Sequence, residues 1–143
     1  MIINSKGKLK MANIGDTYTV KLKETYLDWG EYRKTYSREA IPGEGYIPIP
    51  KKYAQEFGVF NSNYMYVGLG YNVFIASSRD GFLNNVELLA QGCSSAGDQY
   101  AKQFSVKGNL QIIGQWYASQ RATTDNYVRV TWVSSTEIIL EII

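Results

Sequence analysis

Four cations are set among polar and aromatic neighbours: Arg33, Lys34 and Arg38 in YLDWGEYRKTYSREA, and Arg79 in SSRDG. A guanidinium forks onto two acceptors at once, so it suits a phosphate or the O6 and N7 edge of guanine. Ser77 and Ser78, just before Arg79, carry hydroxyls that can donate to phosphate oxygens. Asn84 and Asn85 follow, and a carboxamide matches the donor and acceptor of adenine. A further aromatic and basic group is Gln115, Trp116, Tyr117 and Arg121, with Trp116 expected in the core and Arg121 against a backbone. For any one of the cations and asparagines a solvated turn position is as apt as a contact, and for the serines it is the more apt. Their weight depends on the elements that position them.

Other chemistries are poorly provided for. The chain has no histidine, which removes Ser-His-Asp and Cys-His nucleophiles and most zinc sites. Its one cysteine, Cys93, excludes an internal disulfide and a four-cysteine zinc site, and suits a reducing cytoplasm. GLGYNVF has the wrong spacing for a dinucleotide fingerprint. Asp80, Glu87, Asp98, Asp125, Glu137 and Glu141 are scattered and form no acid-x-lysine nuclease motif. The expectation is a protein that is not an enzyme, with no cofactor and no metal.

The 143 residues suffice for one domain, and no run approaches the ~20 apolar residues that span a bilayer. MIINSKGKLK lacks an apolar stretch of signal-peptide length, so a cytoplasmic location is expected. Residues 1–13 read as a flexible basic segment and residues 14–143 as a single domain. Net charge is only +2, yet ten of the fifteen basic residues lie between Lys6 and Lys52, against six acids there. The positive excess therefore sits toward the N-terminal side.

The elements read as mainly β. DTYTVKLKE (residues 16–24) alternates, with Tyr18, Val20 and Leu22 on one face. In IPGEGYIPIPKKYAQEFGV, residues 46–49 are extended and Pro50 opens a short helix over residues 51–57. Gly58 closes that helix in a left-handed cap. Strands are expected over residues 64–76 and 82–91, joined by the Asp80-Gly81 turn, with one turn of helix competing at residues 86–90. Residues 110–117, 127–133 and 137–143 read as three closing strands, the first two joined by a hairpin loop ASQRATTDN.

YAQEFGV (residues 53–59) returns 47 residues later as YAKQFSV (residues 100–106), with four of seven positions identical. The second copy reads as a helix over residues 99–104, capped by Asp98. Two copies are too few for a solenoid. They suggest a pseudo-twofold internal repeat, in which each half supplies strands and one short helix that plugs an end of a small barrel.

Ile49, Pro50 and Lys51, followed by Ala54 one helical turn later, give an isoleucine-proline-lysine step into a short helix. In this the chain resembles the DNA-binding pseudobarrel superfamily, which includes the DNA-binding domains of plant auxin-response factors and the recognition domains of some restriction endonucleases. The resemblance implies an open seven-stranded pseudobarrel with two short helices at its ends. It also implies two arms that grip the major groove of double-stranded DNA. The first arm corresponds to residues 26–38, with Asp28, Trp29, Arg33, Lys34, Tyr36, Ser37 and Arg38. The second corresponds to Ser77, Ser78, Arg79 and Asp80, with Asn84 and Asn85 just beyond.

The leading expectation is a sequence-specific double-stranded DNA-binding module. It would be a small regulator or the recognition component of a restriction or phage-related system, whose partner would be a nuclease subunit on another chain, with no membrane partner. The alternative is a small β-barrel that binds a carbohydrate or a protein through its aromatic loops. An assembly protein pairing through EIILEII and a histidine-free nuclease are further alternatives.

Overall fold

The computed structural model describes residues 11–28, 43–61, 67–92 and 99–143. These residues form one seven-stranded sheet in the order β1-β6-β7-β3-β4-β5-β2, curled until it nearly closes into a barrel. The strands are β1 (Thr17–Lys21), β2 (Ile47–Pro48), β3 (Val73–Ser78), β4 (Val86–Gln91), β5 (Gln103–Val106), β6 (Tyr127–Trp132) and β7 (Glu137–Ile142). All neighbours are antiparallel except β3 and β7, which run parallel from Ile75 opposite Glu137 to Ser78 opposite Leu140. The described helices are short: α1 (Glu24–Leu27), α2 (Lys51–Phe57) and α3 (Ile112–Ser119). None is long and apolar enough to cross a membrane.

Strand direction fixes which connections share an end. β1, β7, β3 and β5 point one way, and β6, β4 and β2 the other. One end therefore carries the exit from β1, the entry to β2, the β3–β4 turn, α3 and the approach to β6. The opposite end carries α2, the approach to β3 and the β6–β7 turn. The expected mainly β barrel with a helix at each end is what the chain adopts.

The α2 end is closed by aromatic rings, because α2 turns Ala54 and Phe57 inward from one face. Tyr18 stacks on Tyr53 at 5.4 Å between centroids, and Phe57 meets Trp132 edge-on at 5.4 Å. Phe74 meets both Trp132 and Phe104 edge-on, at 5.7 and 5.8 Å. α2 stops at Gly58, whose φ of 73° is the expected left-handed cap.

Two elements differ from expectation. Residues 99–104 are not a helix: β5 begins at Gln103, while Ala101 donates its N–H to the Val59 carbonyl at 3.1 Å and Asn61 to that of Gln99 at 2.9 Å. Asp98, the expected cap, lies outside the described residues. The first copy has Pro50 before it and Gly58 within it to start and stop a helix. The second has Gly97 and Ser105 at those places, and its apolar residues find strand partners on β4. The two copies thus touch as neighbours and are not equivalent in conformation.

Residues 110–117 are the converse. Instead of a strand, α3 runs through Ile112–Ser119 with Ile113, Trp116 and Tyr117 buried. Spacings of three and four put these on one helical face, although Ile, Trp and Tyr favour strands. ASQRATTDN therefore joins a helix to β6 and is not a hairpin loop. Smaller differences concern length. β1 ends at Lys21 and α1 begins at Glu24; β3 begins only at Val73; Phe82 and Leu83 belong to the turn before β4, and no helix turn competes within β4. Ala12 is already buried, so packing begins before residue 14.

β1 and β2 are the edges of the sheet and share no ladder. Tyr18 spans the seam between them: its buried hydroxyl donates to the Pro48 carbonyl at 2.9 Å. Burial, with a smaller contribution from Tyr117, pushes the Tyr18 phenol well above its ordinary range, so it remains a donor at any physiological pH. Tyr18→Phe should cost about 1–3 kcal/mol in urea unfolding, the cost of leaving a partnered carbonyl unsatisfied. An unchanged midpoint would show that the seam is held by packing alone.

Candidate functional site

α3 is the hub of its end of the barrel. Its Trp116 indole N–H donates to Asp80 Oδ2 in the β3–β4 turn at 2.8 Å. Its Tyr117 hydroxyl donates to the Tyr46 carbonyl, on the entry to β2, at 2.9 Å. Both rings are buried, so each polar tip needs the partner it has. Gly114 supplies the close approach: a Cβ there would collide with the Gly43 carbonyl, and one on Gly45 would lie 2.8 Å from the Gly114 backbone. One helix thus fixes the β3–β4 turn and the returning end of the β1–β2 connection at once.

The turn is hydrogen-bonded throughout. Asp80 Oδ1 accepts from the Ser78 hydroxyl and the Phe82 N–H, both at 2.9 Å. The Ser78 oxygen accepts in turn from the Leu83 N–H at 2.9 Å. Ser77 Oγ accepts from the Asn85 N–H at 2.9 Å. Burial acts to raise the Asp80 carboxyl, but bonds from Trp116, Phe82, Ser78 and its own N–H outweigh this and hold it below the usual range. Asp80 is therefore the ionised anchor of the turn.

The sequence-derived candidates divide accordingly. Trp29, Arg33, Lys34, Tyr36, Ser37 and Arg38 lie outside the described residues. The connection that carries them leaves after Asp28 and returns at Gly43, and both flanks lie at the α3 end. Ser78 is buried, and its hydroxyl is engaged within the turn. Ser77 is half-buried and holds Asn85. Arg79, Asn84, Asn85 and Arg121 are exposed at this same end.

Two of these have unusual backbones. Asn85 (φ 53°) and Arg121 (φ 51°) are the non-glycine residues with positive φ among the described residues. For asparagine this is a modest cost. For arginine it costs about 1–2 kcal/mol relative to glycine, which normally takes this place. Arg121 closes α3: its N–H donates to the Ala118 carbonyl at 3.1 Å, and the Ala122 N–H to that of Tyr117 at 2.9 Å. This double closure is a Schellman motif.

Charge at this end is mixed. Arg79 Nε lies 3.3 Å from Glu141, which also meets Arg129 at 3.8 Å. Lys107 lies 3.6 Å from Glu87. Such exposed pairs are worth at most about 1 kcal/mol, so an incoming phosphate readily redirects the cation. Arg121 makes no ion pair among the described residues. A cleft of about 410 Å³ near α1 has Lys21 and Lys23 in its wall, but also Glu24 and Asp125, a balance that does not favour an anion.

Sequence reasoning missed the role of Asp80 and Trp116 as the joint between turn and helix. Their spacing of 36 residues carries no local signal. No group of three or more metal-ligating side chains occurs among the described residues. No family model, no curated protein and no solved structure matches the chain.

Two outcomes test the joint. Trp116→Phe should raise the Asp80 carboxyl toward the ordinary range, read by NMR titration of the side chain. Because Asp80 is held low in the folded chain, its stabilisation is present above the unfolded-state value and is lost as pH falls through the folded one. The stability gap between wild type and Trp116→Phe should therefore narrow in acid; a gap constant with pH would contradict the joint. Gly114→Ala should cost about 1–3 kcal/mol through overpacking against Gly43, and an unchanged melting curve would refute that contact.

Proposed function

We propose that this chain is a sequence-specific double-stranded DNA-binding module that contacts the duplex with the α3 end of its barrel. The observation that carries the reading is Arg121. A cation held in a left-handed backbone, where glycine is cheaper, is strain of the kind that accumulates at functional positions. It stands at the same end as Arg79, Asn84 and Asn85, and as both flanks of the connection bearing Arg33, Lys34 and Arg38.

In this reading Arg79, Arg121 and the cations of the β1–β2 connection neutralise phosphates and set the register. Asn84 and Asn85 offer carboxamides to base edges. The rigid barrel and α3 hold Arg79, Asn84, Asn85 and Arg121 in place, so little ordering of these four is required on binding. An open seven-stranded barrel with a helix at each end supports the resemblance to the pseudobarrel superfamily. A role as recognition component of a restriction or phage-related system rests on that resemblance alone.

The test is fluorescence anisotropy with a labelled duplex. About four phosphate contacts should weaken binding roughly a hundredfold between about 50 and 200 mM salt. Arg121→Gly separates function from fold. It should stabilise the chain by about 1 kcal/mol while weakening binding and lowering the salt slope by about one. Folded protein that fails to bind at the lower salt would overturn the proposal. Salt-independent binding to a glycan or a protein would favour the alternative.

A further inference from the structure

One row of outward-facing residues near the α3 end runs across four strands. Thr19 on β1 stands opposite Arg129 on β6, and Arg129 opposite Glu141 on β7. The Arg79 N–H donates to the Leu140 carbonyl at 3.0 Å, which carries the β3–β7 pairing one residue past Ser78 and sets Arg79 beside Glu141. We propose that Arg79 and Arg129 together form a site for a phosphate group, and that Glu141 occupies it in the free protein as a tethered competitor.

Alternation places this row on the outside of the barrel. Val128, Val130 and Leu140 are buried, so Arg129 and Glu141 point away from the core. β6 and β3 are the two neighbours of β7, and their arginines reach the carboxylate from either side. Arg79 Nε lies 3.3 Å from Glu141 Oε2, and Arg129 lies 3.8 Å from Oε1, so each oxygen meets a different guanidinium. Guanidiniums gathered around a set of oxygens are the usual recognition of phosphate, and a carboxylate carries the same single charge as a backbone phosphate. The Glu141 side chain is 22% exposed, against 68% for Arg79 and 44% for Arg129, so an arriving anion meets the cations before the carboxylate. No other carboxylate pairs with either arginine among the described residues. Glu87 is engaged by Lys107, and Glu137 lies four residues back along β7, about 13 Å away.

The source of the phosphate rests on the duplex reading above. Arg79 directly follows β3 at the α3 end. Arg129 stands two residues inside β6, about 7 Å from its start, a distance that an extended arginine spans. A nucleic-acid backbone lying against that end therefore reaches both. Thr19 adds an exposed hydroxyl donor beside Arg129. Exposed ion pairs are weak, so the carboxylate yields to a phosphate. It nonetheless lowers affinity for every duplex by the same factor, and contacts to bases must supply the difference.

The first arm of the test titrates the whole chain with inorganic phosphate at constant ionic strength and reads the Arg79 and Arg129 side-chain Nε–H signals by NMR. Glu141→Gln keeps the size of the side chain and removes its charge. Saturable shifts are expected at both arginines, with an affinity at least about threefold tighter in Glu141→Gln than in wild type. No response at either arginine, a response at one alone, or equal affinity in the two chains would overturn the proposal.

The second arm is duplex anisotropy at about 150 mM salt. Glu141→Gln should tighten binding about three- to tenfold. Arg129→Ala should weaken it and lower the salt slope by about one. In a chain carrying both Arg79→Ala and Arg129→Ala, adding Glu141→Gln should change affinity less than about twofold, because a lone exposed carboxylate is screened. A full gain in that chain would reveal a general charge effect and overturn the competitor. Salt-sensitive duplex binding that Glu141→Gln leaves unchanged would overturn this site and spare the duplex reading. Phosphate binding in a chain that ignores the duplex would leave the site standing, overturn the duplex reading and assign the site to a free phosphate compound.

Discussion

The structure depends on a seam that its backbone does not close. Seven strands bring β1 and β2 face to face without a ladder between them. What spans the gap is a side chain, the Tyr18 phenol on the Pro48 carbonyl, over a floor of stacked rings from α2. Buried phenol and carbonyl each need a partner, and here each is the other's. Because the seam is held from within, the outer edge of β1 pairs with no strand among the described residues, and β2 can consist of two residues, one of them proline. Proline on an edge strand costs no ladder bond and discourages pairing with another chain.

From that seam the two ends acquire different characters. The α2 end is a plug of aromatic rings whose contribution is packing. The α3 end is a polar joint, in which Trp116 and Tyr117 bury their rings and direct their donors to Asp80 and Tyr46. Those two bonds tie two separate stretches of chain to one helix. Loops anchored in this way present polar groups with little freedom left to lose, which is what recognition of a shaped surface requires. That Arg121 takes a position where glycine is cheaper, at the end of this same helix, is consistent with selection for the cation over local stability.

Much of this was legible in the sequence, and the failures are physical. The strand around Tyr18 and the helix between Pro50 and Gly58 were readable because alternation and punctuation act locally. The last two strands were readable for the same reason. The near-repeat misled, because YAKQFSV has the helical face of YAQEFGV but lacks its proline start and glycine stop, and β4 offered it a partner. α3 was misread because Ile112, Ile113, Trp116 and Tyr117 have the composition of a strand. Only their spacing, and the room that Gly114 makes for Gly43, favour the helix. For the candidate site, Arg79, Asn84, Asn85 and Arg121 could be chosen by type, but not their gathering at one end. That follows from the strand order, in particular from the parallel pairing of β3 with β7, which no local pattern encodes.

The central claim is that one end of this barrel faces the duplex. Amide NMR of the chain with a short duplex reads it most directly. The account predicts shifts at Arg79, Asn84, Asn85 and the residues from Arg121 to Asn126, with the β6–β7 turn at Ser134 and Ser135 unmoved. Shifts concentrated at the β6–β7 turn and α2, with the α3 end silent, would contradict it.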